Sequence, residues 1–191
     1  MEPFVLILAL IWLGIVSWFD LRTKQVPHSA WVIVPFVLAI LYRIAYSRWD
    51  LVVLSIIIAF ASERNSMAKA AGNDRFASLF MWLPLVVVSF FRASAVNPVG
   101  AVAILAFWIA WELRCWGGAD AVASITLVLL WPDMSLILAL LVVHVIAALV
   151  VTIVTLVRER TWKLHAIPGL PLLLLTVVLR EAFVRLPISI G

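Results

Sequence analysis

Near-continuous apolar runs, joined by short polar connectors, leave this chain little choice of fold. The runs lie near residues 4–20, 29–46, 50–62, 77–92, 97–114, 120–132, 135–157 and 168–186. In lipid every backbone N–H and C=O must be satisfied within the protein, which only helices and closed β-barrels achieve. Barrel strands alternate apolar and polar residues, and none of these runs does. The expected class is therefore all-α, a polytopic bundle of transmembrane helices. A span takes about 20 residues, so the short third and sixth runs are tilted, re-entrant or shielded by neighbours, leaving roughly six to eight spans.

Composition narrows the function. The chain is 66% hydrophobic and 13% charged over 191 residues, against about 45–50% and about 25% for a soluble domain. No soluble domain is expected, and residues 1–191 read as a single membrane-embedded domain without repeats. The lone cysteine, Cys115, excludes an internal disulfide and a Cys-x-x-Cys zinc module. The net charge of +4 does not indicate nucleic acid, because the basic residues sit in connectors, where they orient helices in a bilayer. No basic segment precedes the Phe4–Phe19 run, which is read as a retained first helix.

Those basic residues also set sidedness. Connectors 20–28, 62–76, 112–119 and 158–165 carry Arg22, Lys24, Arg64, Lys69, Arg75, Arg114, Arg158, Arg160 and Lys163, while the opposite side carries Arg43, Arg48, Arg92, Arg180 and Arg185. Nine against five places the first set in the cytoplasm. Pro27, Pro98, Pro132 and Pro168 mark helix ends, whereas Pro35, Pro84 and Pro171 fall inside runs and should kink their helices. The polar stretch from Ser62 to Ser78 reads as a solvated loop.

Asp20 closes the first run and Asp120 opens the sixth, so both fall at the cytoplasmic edge. An ionisable side chain there is a functional hypothesis by default. Two carboxylates on one side of a bundle suit amide hydrolysis: one takes a proton from water while the other, protonated, hydrogen-bonds the scissile carbonyl. Like charges so close share a proton. A purely structural reading stands beside this one, with Asp20 paired to Arg22 or Lys24 and Asp120 capping its helix.

The residues around these aspartates resemble a known family. Asp20-Leu21-Arg22 followed by Val26-Pro27, then Gly117-Gly118-Ala119-Asp120, then Ile167-Pro168-Gly169-Leu170-Pro171, are similar in order and spacing to the motifs of the prepilin peptidases, membrane aspartyl proteases. The resemblance implies that Asp20 and Asp120 are catalytic, with Arg22, Pro27, Gly117, Gly118 and Ala119 in supporting positions. It also implies removal of a short basic leader from type IV pilin-like precursors at the cytoplasmic face of the cell membrane, without a cofactor. The chain departs from the family pattern at His28, where Asn is frequent, at Val122, where Lys is frequent, and at Ala119, where the stricter motif has glycine. Lacking a Cys-x-x-Cys domain, it resembles the compact, peptidase-only members. A presenilin-like protease shares the Gly-x-Gly-Asp motif but wants Tyr-Asp and Pro-Ala-Leu, where this chain has Phe19-Asp20 and Pro168-Gly169-Leu170. A non-enzymatic scaffold or transporter is the third class.

Other candidates are fewer. Gly117 and Gly118 lack a Cβ and would let a substrate backbone approach Asp120. Glu112, two turns before Asp120, could attract a basic leader or simply be solvated. His28, His144 and His165 match no zinc spacing, so no metal is expected. Trp31, Trp49 and Trp162 read as interfacial anchors.

Overall fold

The computed structural model describes residues 3–23, 29–71, 75–113, 116–159 and 169–185. They form α1 (Pro3–Thr23), a π-helical turn (Ser29–Ile33), α2 (Val34–Ala45), α3 (Asp50–Ala71), α4 (Arg75–Val96), α5 (Pro98–Glu112), α6 (Gly118–Leu130), α7 (Met134–Glu159) and α8 (Gly169–Arg185). The fold is all-α, with no strand among the described residues. Among the described residues, two helices, α1 and the Met134–Val157 part of α7, are long and apolar enough to cross a membrane. The other apolar helical stretches, Trp31–Ala45, Asp50–Ser62, Trp82–Val96, Pro98–Glu112 and Gly118–Leu130, are shorter.

Two local expectations need correction. The stretch read as a loop from Ser62 continues α3 through Ala71. Glu63, Met67, Ala68, Lys69, Ala70 and Ala71 are good helix formers, and polarity alone does not separate a polar helix from a loop. Pro35 lies inside the helical stretch Trp31–Ala45, at the point where the π-turn passes into α2, a local irregularity of the kind proline produces. Pro171 instead sits in the first turn of α8, where proline is tolerated. Pro84 does fall inside α4, Pro98 opens α5 and Pro132 follows α6. Pro27 and Pro168 lie outside the described residues.

The chain divides into two compact units, residues 1–32 with 134–191 and residues 33–133. In the first unit α8 packs on both α1 and α7. α1 contributes Ala9, Leu13, Val16 and Ser17, one face at helical spacing. α8 contributes Leu170, Leu173, Thr176, Val177 and Arg180. Buried Arg180 donates to its neighbour Glu181 at 2.6 Å. Along α7, Leu141, Val145, Leu149 and Ile153 are each more than half exposed.

In the second unit α3 packs on α4, α4 on α5, α5 on α6, and α6 on α2. The connectors between α4, α5 and α6 are short, so these helices alternate in direction. α6 is the enclosed one: Ala121 and every residue from Ala123 to Leu129 are buried. Its 13 residues rise about 20 Å, and neighbours cover it nearly all round. The Asn97 side chain accepts from the Gly100 N–H at 2.8 Å and donates to the Pro132 carbonyl at 3.5 Å, tying the start of α5 to the end of α6. A Cβ on Gly100 would lie 2.6 Å from Leu51 Cδ1, so glycine is what lets α3 and α5 close here. The α2–α3 turn is pinned by buried Arg43, whose Nη2 donates to both Asp50 carboxylate oxygens at 3.0 and 3.1 Å. Ser47 takes the left-handed conformation in that turn, with φ 55°.

Candidate active site

Asp120 is the third residue of α6, in the first turn. Gly117 caps that helix in an extended conformation, φ −66° and ψ 148°, without a side chain to satisfy the first amides, and its carbonyl accepts the Ala121 N–H at 3.0 Å. Asp120 folds back over this glycine, so that a Cβ built on Gly117 would stand 2.9 Å from Asp120 Oδ2. The carboxylate thus sits at the positive end of the helix dipole, where an anion is favoured, in a place that glycine keeps open. Gly117 is exposed and Asp120 half-buried.

Gly118 serves a different neighbour. A Cβ there would lie 3.2 Å from Trp111 Nε1, so the indole at the end of α5 rests on the first turn of α6. The connector doubles back on α5: the Trp116 amide donates to the Ala110 carbonyl at 3.2 Å, and its ring meets Phe107 at 5.0 Å between centroids. Both glycines are therefore filled from within the unit, Gly117 by Asp120 and Gly118 by Trp111. Ala119 and Glu112 are half-buried on either side of this connector. Arg114 and Cys115 lie outside the described residues.

Asp20 belongs to the first unit and Asp120 to the second. Asp20 continues the inward stripe of α1 one turn after Val16 and Ser17, and its Oδ2 is buried with no hydrogen-bond partner among the described residues. A buried carboxylate oxygen without a donor is costly, and native structures rarely keep one. Ser17 Oγ, on the same face, is in the same condition.

α1 does not end at Asp20 but runs on to Thr23, whose hydroxyl donates to the Phe19 carbonyl at 2.8 Å. That extension decides where Arg22 goes. Two residues along a continuous helix turn through about 200°, so Arg22 leaves from the opposite side and lies over the Trp18 ring, 5.4 Å from its centroid. Of the two partners the structural reading offers Asp20, Arg22 does not pair with it, and Lys24 lies outside the described residues. Beyond the connector, Trp31 returns to α1: its ring lies 6.0 Å from Phe19 and its carbonyl accepts from Trp12 Nε1 at 2.7 Å. Pro27, His28 and Lys24 lie outside the described residues, as do Ile167 and Pro168 of the third motif.

Trp18, Trp31 and Trp111 were not anticipated as positioning groups. The four-residue spacing of Trp18 and Arg22 is the one visible signal among them. Trp111 meets Gly118 only because the connector reverses. His144 bonds through Nδ1 to the Leu140 carbonyl at 2.8 Å. No three His, Cys, Asp or Glu side chains among the described residues converge as metal ligands. No family model matches the chain, and neither a curated protein nor a solved structure matches it.

Proposed function

We propose that this chain is a multi-pass membrane aspartic endopeptidase that removes the short basic leader of type IV pilin-like precursors at the cytoplasmic face, with Asp20 and Asp120 as a dyad. The observation that carries the reading is the buried Asp20 oxygen left without a donor among the described residues, while Arg22, two residues on, turns away to Trp18. A carboxyl oxygen with no described partner is available for chemistry. The seat of Asp120 at an accessible helix N-terminus supports the second role. Membrane embedding is supported by the two span-length helices, by the exposed apolar flank of α7, and by the burial of short α6, which needs no lipid contact. The cytoplasmic placement rests on the distribution of basic residues.

The roles follow from the two helix ends. Asp120, in the first turn of α6, is stabilised as the carboxylate and acts as the base. Asp20, in the last turn of α1, takes the complementary role of donor. Water attacks the scissile carbonyl carbon as Asp120 takes its proton, and the Asp20 proton passes to the carbonyl oxygen, giving a neutral gem-diol. As the carbon–nitrogen bond breaks, the leaving amine takes the proton from Asp120 and the gem-diol returns one to Asp20. Neither carboxylate is consumed.

Purified protein incubated in detergent with a pilin-like precursor should yield a single new N-terminus at the junction of leader and apolar helix. Asp20→Asn and Asp120→Asn should each abolish that product while the protein still inserts. Near-wild-type turnover by either variant would remove the dyad.

A further inference from the structure

At the end of the second unit opposite Asp120, a cleft of about 460 Å³ opens between the α2–α3 turn, the start of α3 and the last turns of α4. Its walls include Arg48, Trp49, Asp50, Val53, Arg92 and Val96. The single carboxylate, Asp50, is already engaged by buried Arg43 from behind. Arg48 and Arg92 are exposed and form no ion pair among the described residues. The cleft therefore carries two uncompensated guanidinium groups, the side chains best suited to phosphate oxygens. Its other walls are apolar and open: Trp49 is 54% exposed, Val53 47% and Val96 72%.

That combination separates the possible anions. A free phosphate needs donors on several sides and gains nothing from valines. An anionic phospholipid presents a phosphate followed directly by hydrocarbon, and tryptophan favours the headgroup level where the two meet. We infer that this cleft binds the phosphate of an anionic phospholipid between Arg48 and Arg92, with the start of an acyl chain along Val53 and Trp49. The inference rests on the membrane embedding proposed above and not on the peptidase chemistry.

The test uses purified full-length protein in detergent micelles doped with fluorescent phosphatidylglycerol or phosphatidylcholine. Phosphatidylglycerol should bind the more tightly. Arg48→Gln and Arg92→Gln should each weaken it about fivefold, the equivalent of about 1 kcal/mol per basic residue at a membrane surface, while phosphatidylcholine changes little. The double Arg→Lys variant should retain the preference, and Val53→Glu should weaken phosphatidylglycerol with both arginines intact. Equal binding of the two lipids, or full phosphatidylglycerol binding by the double Arg→Gln variant, would overturn the site. Complete displacement of the lipid by millimolar inorganic phosphate would show a small-anion site and overturn the lipid assignment. A parallel flotation of reconstituted vesicles reads membrane embedding separately, so loss of lipid preference in protein that still floats rejects the cleft alone.

Discussion

Gly117→Ala is the sharpest probe of the Asp120 site, because it perturbs the carboxylate without touching the backbone. The native conformation, φ −66° and ψ 148°, is open to alanine, so no strain arises there. The new Cβ would stand 2.9 Å from Asp120 Oδ2, where ordinary contact begins at 3.4 Å. The carboxylate must therefore retreat by about 0.5 Å, the difference between those two distances. Since a misplacement of about 1 Å can cost about 10²-fold in rate, half of that on a logarithmic scale predicts about a tenfold fall in kcat, with KM little changed. Stability should hardly move. Alanine is a poorer N-cap than glycine by about 0.5–1 kcal/mol, and it lowers unfolded-state entropy by about 0.4–1 kcal/mol; the two effects oppose.

Gly118→Ala is the matched control. Its Cβ meets Trp111 at 3.2 Å, an indole able to shift by a few tenths of an ångström, and it leaves Asp120 alone. Both variants would be assayed by precursor cleavage in detergent alongside thermal unfolding. Wild-type turnover by Gly117→Ala, or an equal fall in both variants, would refute the claim that glycine is there to seat the carboxylate.

Other perturbations probe the frame. Asp50→Ala strands buried Arg43 and should destabilise by about 3–5 kcal/mol, read as a lowered unfolding midpoint; a change under about 1 kcal/mol would mean that Arg43 finds water or another acceptor. Asn97→Ala removes a helix cap and its tie to Pro132, and should cost about 1 kcal/mol in the same measurement, with little effect on cleavage by correctly folded protein. Single cysteines at Lys24, Lys69 and Lys163 in a Cys115→Ala background should react with an impermeant reagent only from the cytoplasm; labelling of any of them from outside intact cells would reverse the orientation.

What the sequence determined by itself is the all-α class and the place of each apolar helix. An apolar run in lipid must satisfy its own backbone bonds, and proline or glycine at a run's edge marks the end, as Pro98 and Gly117 do. Asp20 and Asp120 were legible as candidates for the same reason, since a carboxylate among apolar residues is costly and calls for an explanation. The extension of α1 to Thr23 was partly legible. Trp18 and Arg22 stand four apart, and Asp20 and Arg22 two apart, so helical geometry alone would have set Arg22 against the tryptophan had the helix been carried past Asp20. The Ser62–Ala71 helix was hidden because polar helices and loops share a composition.

Only the tertiary structure decided which atoms fill the space the sequence leaves open. Gly117 and Gly118 stand side by side, yet one makes room for a carboxylate three residues on and the other for an indole seven residues back. Either could equally have faced a substrate. The enclosure of α6 by α2 and α5 and the pinning of Asp50 by Arg43 likewise depend on packing between helices. Hydrophobic runs specify a helix locally, through hydrogen bonds four residues apart; they do not specify which side of it a neighbour will cover.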